Sequence, residues 1–214
     1  MRAEFQTDLL EVGHLLVSMA EAVRAAMRKA TDALLGADLA AAEAVIARDA
    51  EIDTLYREVE DKVQQVLARQ APVASDLRLV VTALHVAGDL ERMGDLAEHV
   101  ARTARRRHPA QAVPAELHPV VAGMAAVADR IAGKITAVLS TPDVVQAAEL
   151  ERDDDAMDDL HRELFVVLLG PDWSHGVEAA VDAALLGRFY ERYADHAVNA
   201  GKHVIYLVTG SPLR

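Results

Sequence analysis

Cysteine is absent from this sequence of 214 residues, which excludes disulfides, thiolate metal sites and cysteine nucleophiles. Any metal would therefore be held by carboxylate, imidazole, amide or water ligands. Aromatic residues are scarce as well, at 4%, whereas hydrophobic residues make up 52%. Because Ala, Leu and Val dominate that apolar fraction, the composition predicts a helical bundle.

An excess of basic residues is also lacking, since the net charge is -12. This balance argues against a nucleic-acid-binding protein, which needs clustered Lys and Arg to neutralise phosphates. The one basic run, Arg105–His108, is typical of a helix C-terminus that ends before Pro109. The alternative is that the run binds an anionic membrane surface or an acidic partner.

Long apolar stretches are missing too. No segment approaches the roughly 18 uncharged residues that a membrane span needs, and the N-terminal segment Met1 to Glu11 is acidic without the apolar core of a signal peptide. We therefore expect a soluble, intracellular protein.

Apolar residues recur at intervals of three and four along the chain, and Gly or Pro residues interrupt the pattern. The sequence thus predicts an all-α fold of six helices. We place them near 4–35, 38–70, 75–107, 115–140, 143–169 and 176–209.

The two halves of the sequence resemble each other. The segment Arg48–Glu58 matches Asp153–Glu163, so helix two resembles helix five. In the same way Glu91–Ala97 matches Glu191–Ala197, so helix three resembles helix six. These matches predict a duplicated architecture.

The duplication divides the chain into two tandem, related three-helix bundles. We expect the first to occupy residues 1–108 and the second residues 112–210, joined by a segment that contains Pro114. Short loops between antiparallel helices are typical of such bundles.

Each repeated segment carries two acidic residues four positions apart, which places both carboxylates on one helix face about 6 Å from each other. With 34 acidic residues in 214, about five such pairs would occur by chance, but these lie at equivalent places in both halves. The pairs are Asp49 with Asp53, Glu91 with Asp95, Asp154 with Asp158, and Glu191 with Asp195.

Something should compensate the repulsion within these pairs. A divalent or trivalent cation would do so, since bundles build carboxylate metal sites from neighbouring helices. The alternative is that the carboxylates are solvated or paired with Arg92 and Arg192. His161, His196 and His203 lie near the second set, but a lone helical histidine is more often a surface or core residue than a ligand.

Helix three opens with the segment Pro72–Arg78. Ser75 or Asp76 is expected to cap the helix. The alternative is that Asp76 and Arg78 contact a partner protein, a role that would be confined to the first half because Gly176 takes the place of Asp76 in the second.

Together these features resemble the PhoU family of phosphate-signalling proteins, whose repeats carry a Glu-Arg-x-x-Asp core in the final helix. The matching segments are Glu91–Asp95 and Glu191–Asp195, with Pro72–Arg78 opening helix three. The second core has Tyr193 and Ala194 where the first has Met93 and Gly94. The resemblance covers nearly the whole chain.

The resemblance implies two related three-helix bundles, a cytoplasmic location partly at the inner face of the plasma membrane, and a homodimer. It implies metal ions on the acidic faces, either iron, zinc, manganese or magnesium. The expected role is regulatory and not enzymatic: an adaptor between the phosphate ABC transporter and its sensor histidine kinase, which restrains phosphate uptake and starvation signalling.

Carried over by position, the resemblance assigns two metal sites. The first would comprise Asp49, Asp53, Glu91 and Asp95, and the second Asp154, Asp158, Glu191 and Asp195.

Two other functions remain open from the sequence. A ferritin-like di-iron protein would need two Glu-x-x-His motifs, and only Glu11–His14 has that spacing. A metal-free helical adaptor would dock basic partner surfaces through the acidic faces, and its binding would be sensitive to salt.

Overall fold

The computed structural model describes residues 2–211, except the side chains of residues 2–4 and 70. This part of the chain contains six α-helices, one short 3-10 turn and no strand, which confirms the predicted fold class. The helices are α1 (Arg2–Gly36), α2 (Leu39–Gln70), α3 (Ser75–Arg107), α4 (His118–Ser140), α5 (Val144–Leu168) and α6 (Gly176–Thr209). All agree with the predicted bounds to within one turn, and α4 begins later because residues 115–117 form the 3-10 turn.

Local sequence explains where several helices begin and end. Asp38 caps α2 by accepting a hydrogen bond of 3.0 Å from the backbone N–H of Ala41, and Asp143 caps α5 by accepting one of 2.8 Å from Val145. At the other end of the chain, α6 ends at Gly210, whose φ of 70° lies in the left-handed region that glycine adopts without strain.

The predicted side-chain cap of α3 is wrong. The residue before the helix is Ala74, with a φ of 50°, and neither Ser75 nor Asp76 makes a capping hydrogen bond. Instead the N–H of Asp76 donates to the carbonyl of Val73 and that of Arg78 donates to Ala74. Backbone turns therefore satisfy the donors that a capping side chain would otherwise take.

The helices α3 and α6 form an antiparallel pair at the centre of the molecule. The Arg106 guanidinium near the end of α3 contacts Asp182 near the start of α6, whereas His85 stacks on His203 with ring centroids 4.9 Å apart. The outer helices α2 and α5 pack beside α3 and α6 respectively. Helix α1 packs against α2, α3 and α4, and α4 packs against α1, α5 and α6. No helix within residues 2–211 is both long and apolar enough to cross a bilayer.

The two halves share one hydrophobic core. Buried polar contacts cross between them: the hydroxyls of Thr31 and Tyr190 lie 2.6 Å apart, and the Tyr193 hydroxyl donates to the carbonyl of Val23 over 3.2 Å. Nothing in this packing marks where one unit ends, so the division at residues 108 and 112 stays a prediction.

The basic run at the end of α3 has an acidic partner inside the protein. Arg106 donates to Asp182 at 2.5 Å, and Arg107 donates to the other oxygen of the same carboxylate. Asp182 is only 4% exposed, and Arg107 also pairs with Glu178 at 2.7 Å. These ion pairs join α3 to α6, in addition to any effect of the arginines on the helix dipole.

Candidate metal-binding acidic faces

The first acidic face lies between α2 and α3. Gly94 allows these helices to approach, because a Cβ there would lie 3.0 Å from Ile52 Cδ1 and 3.5 Å from Asp49 Oδ1. The approach brings the two predicted carboxylate pairs of the first half together, Asp49 and Asp53 from α2 with Glu91 and Asp95 from α3. We call these four residues face one.

The electrostatics of face one show how closely its members lie. Burial raises the pKa of Asp49 to about 6, and the negative charges of Glu98, Asp53, Asp95 and Glu91 add to that effect. Burial likewise raises the pKa of Glu91, with further contributions from Asp95 and Asp53. The charged forms of Asp49 and Glu91 are therefore destabilised by burial and by their neighbours.

Glu98 belongs beside this face although the repeat pattern does not identify it. Glu98 is 9% exposed, and among the neighbouring carboxylates it raises the pKa of Asp49 the most. Its position, three residues after Asp95 and seven after Glu91, puts it on the same face of α3. This spacing could have indicated Glu98 from the sequence. The repeat comparison does not, because the second half has Val198 at the equivalent position.

Arginine competes for face one, as expected. Arg92 Nη1 lies 2.9 Å from Asp95 Oδ2, and Arg92 Nε lies 3.5 Å from Glu91 Oε2. The Arg92 side chain is 60% exposed, so solvent screens its pairing with these carboxylates. The guanidinium lowers the repulsion but leaves the pKa of Glu91 raised.

The second acidic face, Asp154 and Asp158 from α5 with Glu191 and Asp195 from α6, is assembled in the same way. We call it face two. Burial raises the pKa of Asp154 to about 6, and the charges of Asp195, Asp158, Glu191 and the adjacent Asp155 add to the effect. The arginine that pairs with Glu191 is Arg188. Arg192, the predicted partner, forms no salt bridge with any residue in the described part of the chain.

Face two forms without the glycine that the first half has at position 94. Ala194 and Tyr193 are both buried, and the Tyr193 ring points into the core. Two other glycines bring the helices together: a Cβ at Gly187 would clash with Leu164 Cδ2, and one at Gly201 would clash with Leu150 Cδ1. The close approach is therefore retained at different positions along α6.

The histidines near these faces separate in the structure. His161 on α5 packs beside Gly187, and its Nε2 is buried without a hydrogen-bond partner among the described residues. His196 instead contacts Asp89 on α3, with Nδ1 2.9 Å from Oδ1, and His203 stacks on His85. The His99 ring packs at a tilt against the Phe189 ring, with centroids 5.2 Å apart.

The two predicted partner-contacting residues lie at the start of α3, away from both faces. Arg78 stacks over the Tyr206 ring, with Cζ 5.6 Å from the ring centroid, and its guanidinium approaches Gly210. It therefore has a structural contact with the end of α6. A role in partner binding for Asp76 and Arg78 stays a prediction.

The donor set of both faces suits a hard cation. In the described residues, no three His, Asp or Glu side chains already converge on one point where an ion could sit. A cation bound here would require the carboxylates to turn towards it, and carboxylate oxygens are the ligands that hard cations prefer. The Oδ1 atom of Asp154 is buried without a hydrogen-bond partner in this part of the chain, so an acceptor is available on face two. The residues thus fit a bound metal ion.

The fold and these faces define a class: duplicated six-helix bundles that present one cluster of carboxylates from each half. The chain belongs to the PhoU family, since the PhoU domain model matches residues 16–104 and 121–204.

Relatives of known name support this assignment along the whole chain. The "Phosphate-specific transport system accessory protein PhoU homolog 2" of Mycobacterium tuberculosis is 47% identical over 211 residues, which cover 99% of each chain. The PhoU homolog of Synechocystis is 32% identical over 212 residues, covering 98% of this chain and 93% of the relative.

Solved structures share the fold. PhoU from Pseudomonas aeruginosa superposes with a TM-score of 0.85 at 27% identity, covering 97% of this chain and 100% of that one. The phosphate transport system regulatory protein PhoU from Streptococcus pneumoniae gives a TM-score of 0.88 at 23% identity, covering 98% and 99%, which supports the fold alone.

Proposed function

We propose that this protein is an accessory regulator of phosphate transport that represses phosphate uptake and phosphate-starvation signalling when phosphate is plentiful. The observation that carries the proposal is the full-length match, covering 99% of both chains, to a relative named as a phosphate-specific transport system accessory protein. The protein would act by binding other proteins and would not catalyse a reaction.

Within this role, the protein serves as an adaptor between the phosphate ABC transporter and its sensor histidine kinase. It works in the cytoplasm and reaches the inner face of the plasma membrane through these partners. A net charge of -12 disfavours direct adsorption to anionic lipid, and Arg106 and Arg107 are already paired with Asp182. Binding of the adaptor would bias the kinase towards its inactive or phosphatase state.

Metal ions on the two acidic faces are part of the proposal. Asp49, Asp53, Glu91 and Asp95 would hold one, and Asp154, Asp158, Glu191 and Asp195 the other. Bound iron, manganese, zinc or magnesium would neutralise charges that are otherwise destabilised. What supports this clause is the raised pKa of Asp49 and of Asp154 and the unpartnered Oδ1 of Asp154. Once they bind metal, the carboxylates of face one would hold α2 against α3, and those of face two would hold α5 against α6.

A metal-free adaptor is the second candidate. Its support is that Arg92 pairs with Asp95 and Arg188 pairs with Glu191, so each face has one cation of its own. Binding to partners would then persist after chelation and weaken with salt. The ferritin-like alternative has no comparable support, since Glu11, half of the single Glu-x-x-His spacing, forms an ion pair with Lys62.

A phosphate-starvation reporter tests the regulatory role. Cells that lack this gene are grown in ample phosphate, with and without a restored wild-type copy. Because Mycobacterium tuberculosis has relatives named homolog 1 and homolog 2, every paralogue in the test organism is deleted as well. We expect derepression that the restored copy reverses, and an unchanged reporter in the complete deletion would contradict the proposal.

The same strain separates the two versions of the mechanism. Restored copies carry Asp154→Asn with Asp195→Asn on face two, or Asp61→Asn with Asp159→Asn at exposed positions as the charge-matched control. Metal-dependent repression predicts that only the first copy fails. Full repression by both copies, with metal shown to be lost from face two of the first, would refute the metal clause for face two and leave the adaptor clause standing.

A further inference from the structure

We propose that His161 supplies an imidazole nitrogen to face two, so that the two halves of the protein hold chemically different metal ions. The assignment rests on the metal clause of the proposed function and adds a ligand to it. Face one would bind through oxygen alone, whereas face two would favour transition metals that imidazole suits, such as zinc and nickel.

The position of His161 follows from the antiparallel packing of α5 and α6. His161 lies three residues after Asp158 on α5, which is the same side of that helix. Opposite it, Gly187 lies four residues before Glu191 on α6. A Cβ at Gly187 would lie 3.0 Å from His161 Cδ2 and 3.4 Å from His161 Nε2. The imidazole therefore sits one helical turn beyond the carboxylates of face two, between the same two helices.

Two buried polar atoms on this side of α5 lack partners. His161 Nε2 and Asp154 Oδ1 have no hydrogen bond to any residue that the structure describes. Residues 154 and 161 are seven apart, or two turns, and so lie on one side of the helix. Buried polar atoms are nearly always satisfied, and metal bound along face two would supply partners for them.

The ring of His161 is also held in place by its surroundings. The Phe165 ring packs against it edge-on, with centroids 5.2 Å apart, and the lack of a side chain at Gly187 makes room for it. A donor held by packing loses less conformational freedom when it binds a ligand. Its contacts leave the Nε2 atom available.

The first half has a different donor at the equivalent place. Tyr56 corresponds to His161, and its hydroxyl donates to Glu60 at 2.9 Å, so it is already satisfied. Face one gains Glu98 instead, where the second half has the buried Val198. Face one thus has a fifth carboxylate beside it, whereas face two has an imidazole.

Metal titrations of the full chain test the assignment. The protein is stripped with chelator, then titrated with zinc or with manganese, in the wild type and in His161→Gln and His161→Tyr. His175→Gln, at a surface histidine paired with Glu116, is the control for adventitious binding. Melting curves of the stripped variants establish that each is folded.

For the tighter zinc site we expect His161→Gln to lose at least about tenfold in affinity, since removing even an outer partner of a metal ligand commonly costs 10 to 100-fold. Manganese affinity should change less than zinc affinity, and His175→Gln should match the wild type. X-ray absorption of the zinc-loaded protein should show imidazole scattering that His161→Gln removes. The reciprocal change Tyr56→His should raise zinc affinity at face one.

Equal zinc affinity and unchanged imidazole scattering in folded His161→Gln would overturn the assignment while leaving metal binding by the carboxylates intact. Failure of the wild type to bind either metal would overturn the metal clause of the proposed function, and this assignment with it.

Discussion

The hydroxyl oxygen of Thr31 lies 2.6 Å from the phenolic oxygen of Tyr190 inside the shared core. Thr31 also donates to the carbonyl of Met27 at 2.9 Å, so Tyr190 is the donor in this contact. Because Thr31 belongs to α1 and Tyr190 to α6, the bond joins the first half of the chain to the second. Burial raises the pKa of Tyr190, which keeps it protonated as that donor.

Replacing Tyr190 by Phe should lower the free energy of unfolding by about 1 kcal/mol, the usual net worth of one buried hydrogen bond. Urea denaturation measures the change. Tyr206→Phe is the control, because that ring is 37% exposed, and it should alter stability much less. Equal losses in the two variants would argue against a structural role for the buried hydroxyl.

Asp182 should be among the most sensitive residues outside the apolar core. Its buried carboxylate accepts from both Arg106 and Arg107, and removing one partner of a buried ion pair costs about 3 to 5 kcal/mol in comparable cases. Because the arginines can turn partly to water, we expect Asp182→Ala to approach the lower value. Glu178→Ala, whose side chain is 81% exposed, should cost about 1 kcal/mol or less.

Neutralising Asp49 should have opposite effects with and without metal. In protein stripped by chelator at neutral pH, Asp49→Asn removes a carboxylate that its neighbours repel, so stability should rise by about 0.5 kcal/mol. After metal is added, the same variant should gain less stability than the wild type. Asp61→Asn, an exposed change on the same helix, controls for net charge. A fall in the stability of stripped Asp49→Asn would contradict the expectation.

Stability without metal should depend on pH because the pKa of both Asp49 and Asp154 is raised to about 6. The folded protein then binds these protons more tightly than the unfolded chain does. The resulting stabilisation is fully present below the ordinary pKa near 4 and is lost as the pH rises through about 6. Melting temperatures of stripped protein at pH 5 and pH 7 measure it.

The double variant Asp49→Asn with Asp154→Asn isolates these two groups, since its melting temperature should vary less with pH than that of the wild type. With metal present the trend should reverse, because protons compete with metal for the carboxylates. Parallel pH profiles for the stripped wild type and double variant would count against the raised pKa values.

Two glycines predict opposite outcomes of the same substitution. Gly187→Ala should destabilise the protein by about 1 to 3 kcal/mol, since the new methyl would clash with Leu164. Gly88→Ala should stabilise it by up to about 1 kcal/mol, because a Cβ there would meet nothing within 4 Å and α3 is helical at that point. Thermal melts of both variants check the prediction, and a stable Gly187→Ala would show that the Leu164 side chain or the helices adjust without cost.

The helices and the acidic faces could be predicted from the sequence because both depend on local spacing. An i, i+4 carboxylate pair lies on one face wherever a helix forms, and its repetition in both halves distinguished it from chance. The predicted cap at Ser75 or Asp76 was wrong because Ala74 takes a left-handed φ of 50°, which the sequence pattern does not indicate.

What the sequence could not provide were contacts between distant segments. Asp182 corresponds to Thr82 in the first half, so comparison of the repeats does not reveal it, and its partners lie 76 and 75 residues away. The sequence also does not show that Gly187 and Gly201 allow α5 and α6 to approach, as Gly94 does for α2 and α3. Position 161 acquires significance only because Gly187 lies opposite.

The pairing of Arg106 and Arg107 with Asp182 has a consequence for the ancestry of the chain. Two copies of the first half, meeting as α3 meets α6, would set Thr82 against both arginines and leave their charges without a carboxylate. Two copies of the second half would bury Asp182 against Tyr206 and Leu207, the residues equivalent to those arginines. Each half therefore supplies residues that the other needs for this contact, and two copies of a single repeat could not form these ion pairs.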